Sequence, residues 1–276
     1  MSYKTILVHV DAGARSTARV EVAIRVARQF DAHLVALHAL TRADLPAYLV
    51  AEAGISIVDK QKRSLATQAS RAESAFRQAV SAAGWTKSEW RASAEDALDQ
   101  VALHARYADL LVLGQPAAED DTDVDRDFAE RAVLSAGRPT LVIPYAGSFP
   151  TIGTRALVAW DGSREATRAI TDAIPMLERS SVVYVMVFDA DVRRHGDDPG
   201  ADVALYLARH GIRVEVMRER AIDIDVGNKI LSRAADLSID LIVMGAYGHW
   251  RLREWVTGGV TRTLLDSMTV PTLMSH

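Results

Sequence analysis

The sequence predicts an α/β fold built from two repeated domains, each a five-stranded parallel sheet with helices on both faces. Three observations carry this. Short apolar runs rich in β-branched residues alternate with segments of helical spacing. The alternation stops in an aperiodic stretch, Tyr145 to Thr154, and then starts again. Landmarks recur in the same order: Asp11 and Asp161, Gly114 and Gly245, Pro139 to Pro144 (PTLVIP) and Pro271 to His276 (PTLMSH). The two domains are placed at residues 1–148 and 152–276. Strands alternating with helices imply parallel pairing and right-handed crossovers.

Ile6 to Val10 reads as the first strand, ending at Asp11-Ala-Gly13. Ser16 is positioned to cap the next helix, in which Val20, Ala23, Ile24 and Ala27 share one face. His33 to Leu40 is the second strand. A long helical region, Ala47 to Ala83, follows, with a break expected near Gly54. Strand Glu89 to Ala94, helix Glu95 to Arg106 and strand Asp109 to Gly114 come next. An acidic segment, Glu119 to Asp127, leads into a helix ending near Gly137, and Pro139 to Pro144 is the fifth strand.

The second half opens with strand Arg155 to Trp160, which ends at Asp161-Gly-Ser163. Helix Arg164 to Leu177, strand Ser181 to Phe188, helix Pro199 to His210 and strand Ile212 to Arg218 follow. Helix Ile224 to Leu237, strand Leu241 to Met244, helix Arg251 to Met268 and strand Pro271 to Met274 complete it. The first half is the longer one, and its surplus falls in the long helical region.

The chain has 276 residues, 49% of them apolar, and a formal charge of −4. Charges are mixed in sign with no basic stripe, so broad nucleic-acid binding is not expected. There are no cysteines, which excludes disulfides, thiolate zinc sites and cysteine nucleophiles. Neither a signal peptide nor a run of about 20 apolar residues is visible, so a soluble cytoplasmic protein is expected, with no membrane partner.

The most informative stretch is Gly245-Ala-Tyr-Gly248, followed nine residues later by Gly258-Gly259-Val260-Thr261. A strand that ends in glycines and passes into a helix suits an anion, because bare backbone N–H groups approach it closely. With strand order 3-2-1-4-5, strands 1 and 4 are neighbours where the order reverses, and ligands bind there. Asp161 then sits beside Gly245. An aspartate repels phosphate but accepts a hydrogen bond from a base amino group or a ribose hydroxyl. The reading is a nucleotide laid across the sheet end.

The WDGS of Trp160 to Ser163, the G-x2-G-x9-G of Gly245, Gly248 and Gly258, the following Gly-Val-Thr and the terminal PTLM strand resemble the universal stress protein family. The whole chain resembles a tandem member of it. The resemblance implies an adenine nucleotide alpha hydrolase-like fold, two halves packed as a pseudo-dimer, and antiparallel pairing of Thr140–Ile143 with Thr272–Met274. It implies an ATP-binding stress-response protein, with ATP in the C-terminal half, an accompanying Mg2+ left open, and a homo-oligomer, a dimer, of the whole chain. The implied nucleotide contacts are Asp161, Gly162, Ser163, Phe188, Met244, Gly245, Gly248, Gly258, Gly259 and Thr261. Two positions depart from the family pattern. Gly259 stands where a hydroxyl residue is usual, with Thr261 as its substitute, and Tyr247 stands where a basic residue is common.

The first half departs further. Gly114 is followed by Gln115-Pro116 and a run of carboxylates, so this half is not expected to bind ATP in the family manner. Asp11 reads as structural. The acidic run reads as a solvated loop, His195 as a loop residue without a metal, His249 as a surface histidine, and Trp250 and Trp255 as packing residues. No P-loop, nucleophile elbow or zinc-protease motif is present, and no catalytic or metal-binding residue is assigned beyond slow ATP hydrolysis. Two alternatives stay open: an ATP-using enzyme of a related fold, and a ligand-free scaffold with a vestigial glycine turn.

Overall fold

The computed structural model describes residues 2–13, 15–39, 47–115, 124–188, 198, 200–219, 225–247 and 259–276. The first half runs β1 (Thr5–His9), α1 (Ser16–Phe30), β2 (His33–Ala39), α2 (Ala47–Ala82), β3 (Ser88–Ser93), α3 (Ala97–Ala105), β4 (Leu110–Gly114), α4 (Phe128–Ser135) and β5 (Thr140–Ile143). The second half runs β6 (Arg155–Trp160), α5 (Arg164–Leu177), β7 (Val182–Phe188), α6 (Ala201–Arg209), β8 (Val214–Glu219), α7 (Val226–Asp236), β9 (Leu241–Gly245), α8 (Gly259–Ser267) and β10 (Thr272–Ser275).

All ten strands form one sheet, in the order β3-β2-β1-β4-β5-β10-β9-β6-β7-β8. Within each half the strands are parallel and follow the order 3-2-1-4-5. The halves meet at an antiparallel seam in which Thr272 faces Val142, Leu273 faces Leu141 and Met274 faces Thr140. Each half would otherwise expose its fifth strand as an open edge, and the seam satisfies both. The outer edges, β3 and β8, carry charged residues such as Glu89, Arg91, Glu215 and Arg218, which discourage further pairing.

The central strands are apolar throughout because helices cover both faces. Leu110 to Leu113 and Leu241 to Met244 are all buried. One apolar cluster on the α1 and α5 side is continuous through both halves, from Tyr3 and Ile24 to Ile170 and Leu273. Polar contacts lace the same junction. The Tyr3 hydroxyl donates to the Asp172 carbonyl at 2.6 Å, and the Arg179 guanidinium lies 4.9 Å from the Phe30 ring centroid.

Three details differ from the sequence reading. α2 runs unbroken through Gly54, since a single glycine costs only about 1 kcal/mol in a helix of 36 residues. Ser16 does not cap α1: it is the first helical residue, and its hydroxyl accepts from the Arg19 guanidinium at 3.2 Å. The described part of the last helix starts at Gly259, and residues 251–258 lie outside the described residues. By contrast, α5 spans Arg164–Leu177 as read, and Ser163 caps it by accepting the Ala166 N–H at 3.0 Å. Among the described residues no helix is long and apolar enough to cross a membrane.

Leu141 and Leu273 face one another across the seam and are fully buried. Leu273→Ala is expected to cost about 2–5 kcal/mol, because the cavity collapses poorly between two fixed strands. Urea denaturation checks this as a lower midpoint at an unchanged slope.

Candidate functional site

In the second half β6 and β9 are neighbours, with Ala159 beside Met244. Asp161 follows β6 in a tight turn. Its Oδ1 accepts the Ser163 N–H at 3.0 Å, and Gly162 takes the left-handed conformation at φ 70° that the turn requires. Asp161 is half-buried, and among the described residues no cation pairs with it.

Gly245 ends β9 under the first turn of α5. A Cβ there would lie 2.4 Å from the Ala166 nitrogen and 2.6 Å from the Glu165 carbonyl carbon, so only glycine fits. The chain then turns through Tyr247, which is held at φ 55°, a conformation uncommon for a bulky residue. The Tyr247 N–H donates to the Thr261 hydroxyl oxygen at 3.2 Å. That bond pins the start of α8 to the end of β9. The N-terminus of α5 and the described start of α8 thus lie near the place where strands 1 and 4 end.

The residues read from the sequence fall into three groups here. Asp161, Gly162, Ser163, Gly245, Gly259 and Thr261 surround this junction. Thr261 is buried, and its oxygen is engaged in holding the turn. Gly259 is exposed, with open space around the position of a Cβ. Phe188, at the end of β7, and the buried Met244 belong to the apolar cluster beneath the junction. Gly248, Gly258, His249, Trp250 and Trp255 lie outside the described residues, as do His195 and Glu119 to Asp123. Further along the acidic run, Arg131 faces both Asp125 and Asp127. Among the described residues no cluster of ligating side chains suits a metal ion.

Tyr247 turns toward the other half. Its hydroxyl is buried without a hydrogen-bond partner among the described residues. Burial, followed by the nearby charge of Glu130 on α4, raises its pKa.

The equivalent place in the first half is built from different residues. Asp11 makes the same turn, with Oδ1 accepting the Gly13 N–H at 3.0 Å, but it is only 6% exposed. Arg19 closes over it. The guanidinium Nη2 lies 2.8 Å from Asp11 Oδ2, and a Cβ on Gly114 would lie 1.9 Å from Arg19 Nη1. The cleft between the ends of β1 and β4 is therefore plugged by a buried ion pair. Strand and helix registers place Arg19 where the second half has Ala169, His9 where it has Ala159, His38 where it has Val187, and Gln115 where it has Ala246. All four are buried. The sequence reading missed this cluster. The available signal was the repeat itself, since these polar residues interrupt stripes that stay apolar or small in the other half.

Most polar groups of the cluster are bonded, while Arg19 Nε and His38 Nε2 are buried without a hydrogen-bond partner among the described residues. His9 Nε2 donates to the Ala39 carbonyl at 2.9 Å, and His38 Nδ1 donates to the Val10 carbonyl at 2.7 Å. Gln115 Nε2 donates to the Leu265 carbonyl in α8 at 2.8 Å, and its Oε1 accepts the Tyr145 N–H at 3.1 Å. Burial opposes the charge on Asp11, and Arg19, His9 and the Gly13 N–H outweigh it, so the carboxyl titrates below its usual range. Burial lowers the His9 pKa to about 4, although Asp11 pulls the other way.

Residues 154–276 match the family model described as the universal stress protein family. The chain carries a universal stress protein domain. A universal stress protein of Synechocystis sp. is 31% identical over 153 residues. The match covers 52% of this chain, and the chain spans about half the length of that relative, 49%. The crystal structure of a universal stress protein from Archaeoglobus fulgidus superposes over 98% of this chain and 97% of its own, with a TM-score of 0.74 and 17% identity. A putative universal stress protein from Pseudomonas aeruginosa covers 99% of this chain and 93% of its own, with a TM-score of 0.57 and 14% identity. At such identities the two structures establish the fold over nearly the whole chain, so the α/β architecture of the universal stress protein domain extends to the first half.

Two outcomes follow from the buried pair. His9 stays neutral in the fold down to about pH 4, while an unfolded histidine takes up its proton near pH 6.5. Its stabilising contribution is complete above pH 6.5 and is lost as the pH falls toward 4. Relative to His9→Ala, the protein should lose roughly 2–3 kcal/mol across that window, measured by urea denaturation at several pH values. Arg19→Met strands a buried carboxylate and should cost about 3–5 kcal/mol, whereas the double variant Asp11→Asn/Arg19→Met should recover much of that loss.

Proposed function

We propose that this protein is an adenine-nucleotide-binding regulator that holds ATP in its second half, residues 152–276, while residues 1–148 form a degenerate domain of the same family whose corresponding cleft is closed. The observation that carries this is the contrast between the two switch points. In the second half a half-buried carboxylate with no counter-ion among the described residues stands beside the N-terminus of α5 and the described start of α8. In the first half the same carboxylate is neutralised and covered by Arg19.

The base or ribose is assigned to Asp161, whose Oδ1 is used by the turn and whose Oδ2 remains to accept a hydrogen bond. The phosphates are assigned to the turn after β9 and to the α8 N-terminus, where backbone N–H groups and the helix dipole favour negative charge. With Tyr247 turned toward Glu130 and the Thr261 oxygen engaged by the turn, the grip on phosphate rests on the backbone. Should Mg2+ accompany the nucleotide, its ligands are phosphate oxygens and water in this reading, since the described residues around the junction offer no carboxylate set. No general base is assigned, so the role is binding and signalling, with dimers of the whole chain as the assembly.

Calorimetric titration of ATP into the intact chain tests this. Binding is expected for the parent chain and is lost in Asp161→Ala and Gly248→Val. Because a Cβ at Gly259 meets open space, Gly259→Ser adds a hydroxyl at the helix start without a clash and should tighten binding about three- to tenfold. A parent chain that takes up no ATP would reject the reading, and binding that survives both disruptive variants would relocate the site.

A further inference from the structure

We propose that the first half carries a ligand site of its own, a pocket for a small monocarboxylic acid with an aromatic or branched apolar body. The pocket is a cavity of about 360 Å³ between the β1–α1 turn and the middle of α2. That volume falls in the range of small-molecule sites, roughly 300–1,000 Å³. Val10, Val20, Ala72 and Phe76 supply apolar walls, with Gln68 and Arg71 among them.

The polar groups define the occupant. Gln68 Oε1 is buried with no hydrogen-bond partner among the described residues, so it requires an N–H or O–H donor from whatever fills the cavity. Arg71 is exposed at the rim. A smaller cavity of about 20 Å³ adjoins this one and shares Asp11, Gly13 and Ser16 with it. Among the described lining residues of this cavity the one carboxylate, Asp11, is already paired with Arg19, and Arg71 stands at the rim as the cation that a ligand meets. The ligand therefore carries a negative charge at the Arg71 end and a hydrogen-bond donor at the Gln68 end.

A nucleotide does not meet this description. Arg19 occupies the β1–β4 cleft, and Pro116 after Gly114 lacks an N–H for phosphate. The wall is also peculiar to this half. α2 has 36 residues, whereas α6, its counterpart after the second strand of the other half, has 9. The extra sequence of the first half therefore builds an enclosure that the second half lacks among its described residues.

The test uses the full chain and 4-hydroxybenzoate as the probe, followed by calorimetry and ligand-observed NMR, with 4-hydroxybenzamide as the neutral control and ATP in a parallel arm. The acid should bind about tenfold more tightly than the amide, and Arg71→Gln should remove most of that difference. Gln68→Leu should weaken the acid about fivefold by removing the inner acceptor. Ala72→Trp should fill the cavity and abolish binding, while Ala75→Trp, at an exposed position of the same lining, blocks the mouth without touching the core. None of the four variants should change the ATP isotherm. The proposal fails if 4-hydroxybenzoate does not bind, if acid and amide bind equally, or if binding survives both tryptophan variants. It also fails if these tryptophans abolish ATP binding, since the cavity would then be a nucleotide site.

Discussion

The fourth strand of each half ends on a residue that has no room for a side chain, and the contents of that space decide what each half can hold. At Gly245 the occupant is the backbone of α5, whose first turn rests directly on the strand end. At Gly114 it is the Arg19 guanidinium, drawn down by Asp11. A helix N-terminus set on a glycine leaves donors and a positive dipole end at the switch point, which is where a parallel sheet accepts ligands. A guanidinium locked to a carboxylate leaves the same point filled and neutral. One glycine, present in both halves, thus makes room for helix backbone in one and for a guanidinium in the other.

The two halves are mechanically one sheet, and their sites are not independent. The β5–β10 seam fuses the sheets, and specific bonds tie the closed site of one half to the open site of the other. Gln115 follows Gly114 at the end of β4 and donates to the Leu265 carbonyl near the end of α8, the helix whose start meets Tyr247 and Thr261. Tyr247, in turn, reaches toward Glu130 on α4.

Most of the architecture was legible in the sequence because its signals are local and repeated. The apolar runs of β4 and β9, the helical stripe of α1 and α5 and the recurrence of PTL all have near neighbours that reinforce them. The strand order was a premise of the parallel-sheet reading, and the seam was implied by the family resemblance, with the need to cover edges as its physical reason. What was not legible depended on contacts distant in sequence. Ser16 and Ser163 are the same residue type near a helix start, yet Ser163 caps α5 and Ser16 bonds to Arg19, one helical turn further on. Gly54 suggested a break, but a helix of 36 residues absorbs a single glycine. Gly245 was taken as a sign of anion binding, and the α5 backbone gives it a steric reason that holds with or without a ligand.

The buried pair gives the first half, which lacks the glycine spacing of the second, a reason of its own to hold an aspartate at this strand end. A buried ion pair adds little net stability, but removing one partner is costly, so Asp11 and Arg19 depend on each other. His9, held neutral by burial, and Gln115, with both ends of its amide bonded, tie the cluster to the surrounding backbone. Such a cluster specifies one arrangement of β1, β2 and β4 without any ligand. In the second half the corresponding positions are alanines and a valine, which give Asp161 no buried cation. The chain therefore contains the same strand end twice, once with its carboxylate paired to Arg19 and once with a carboxylate that has only the backbone N–H of its own turn as a partner among the described residues.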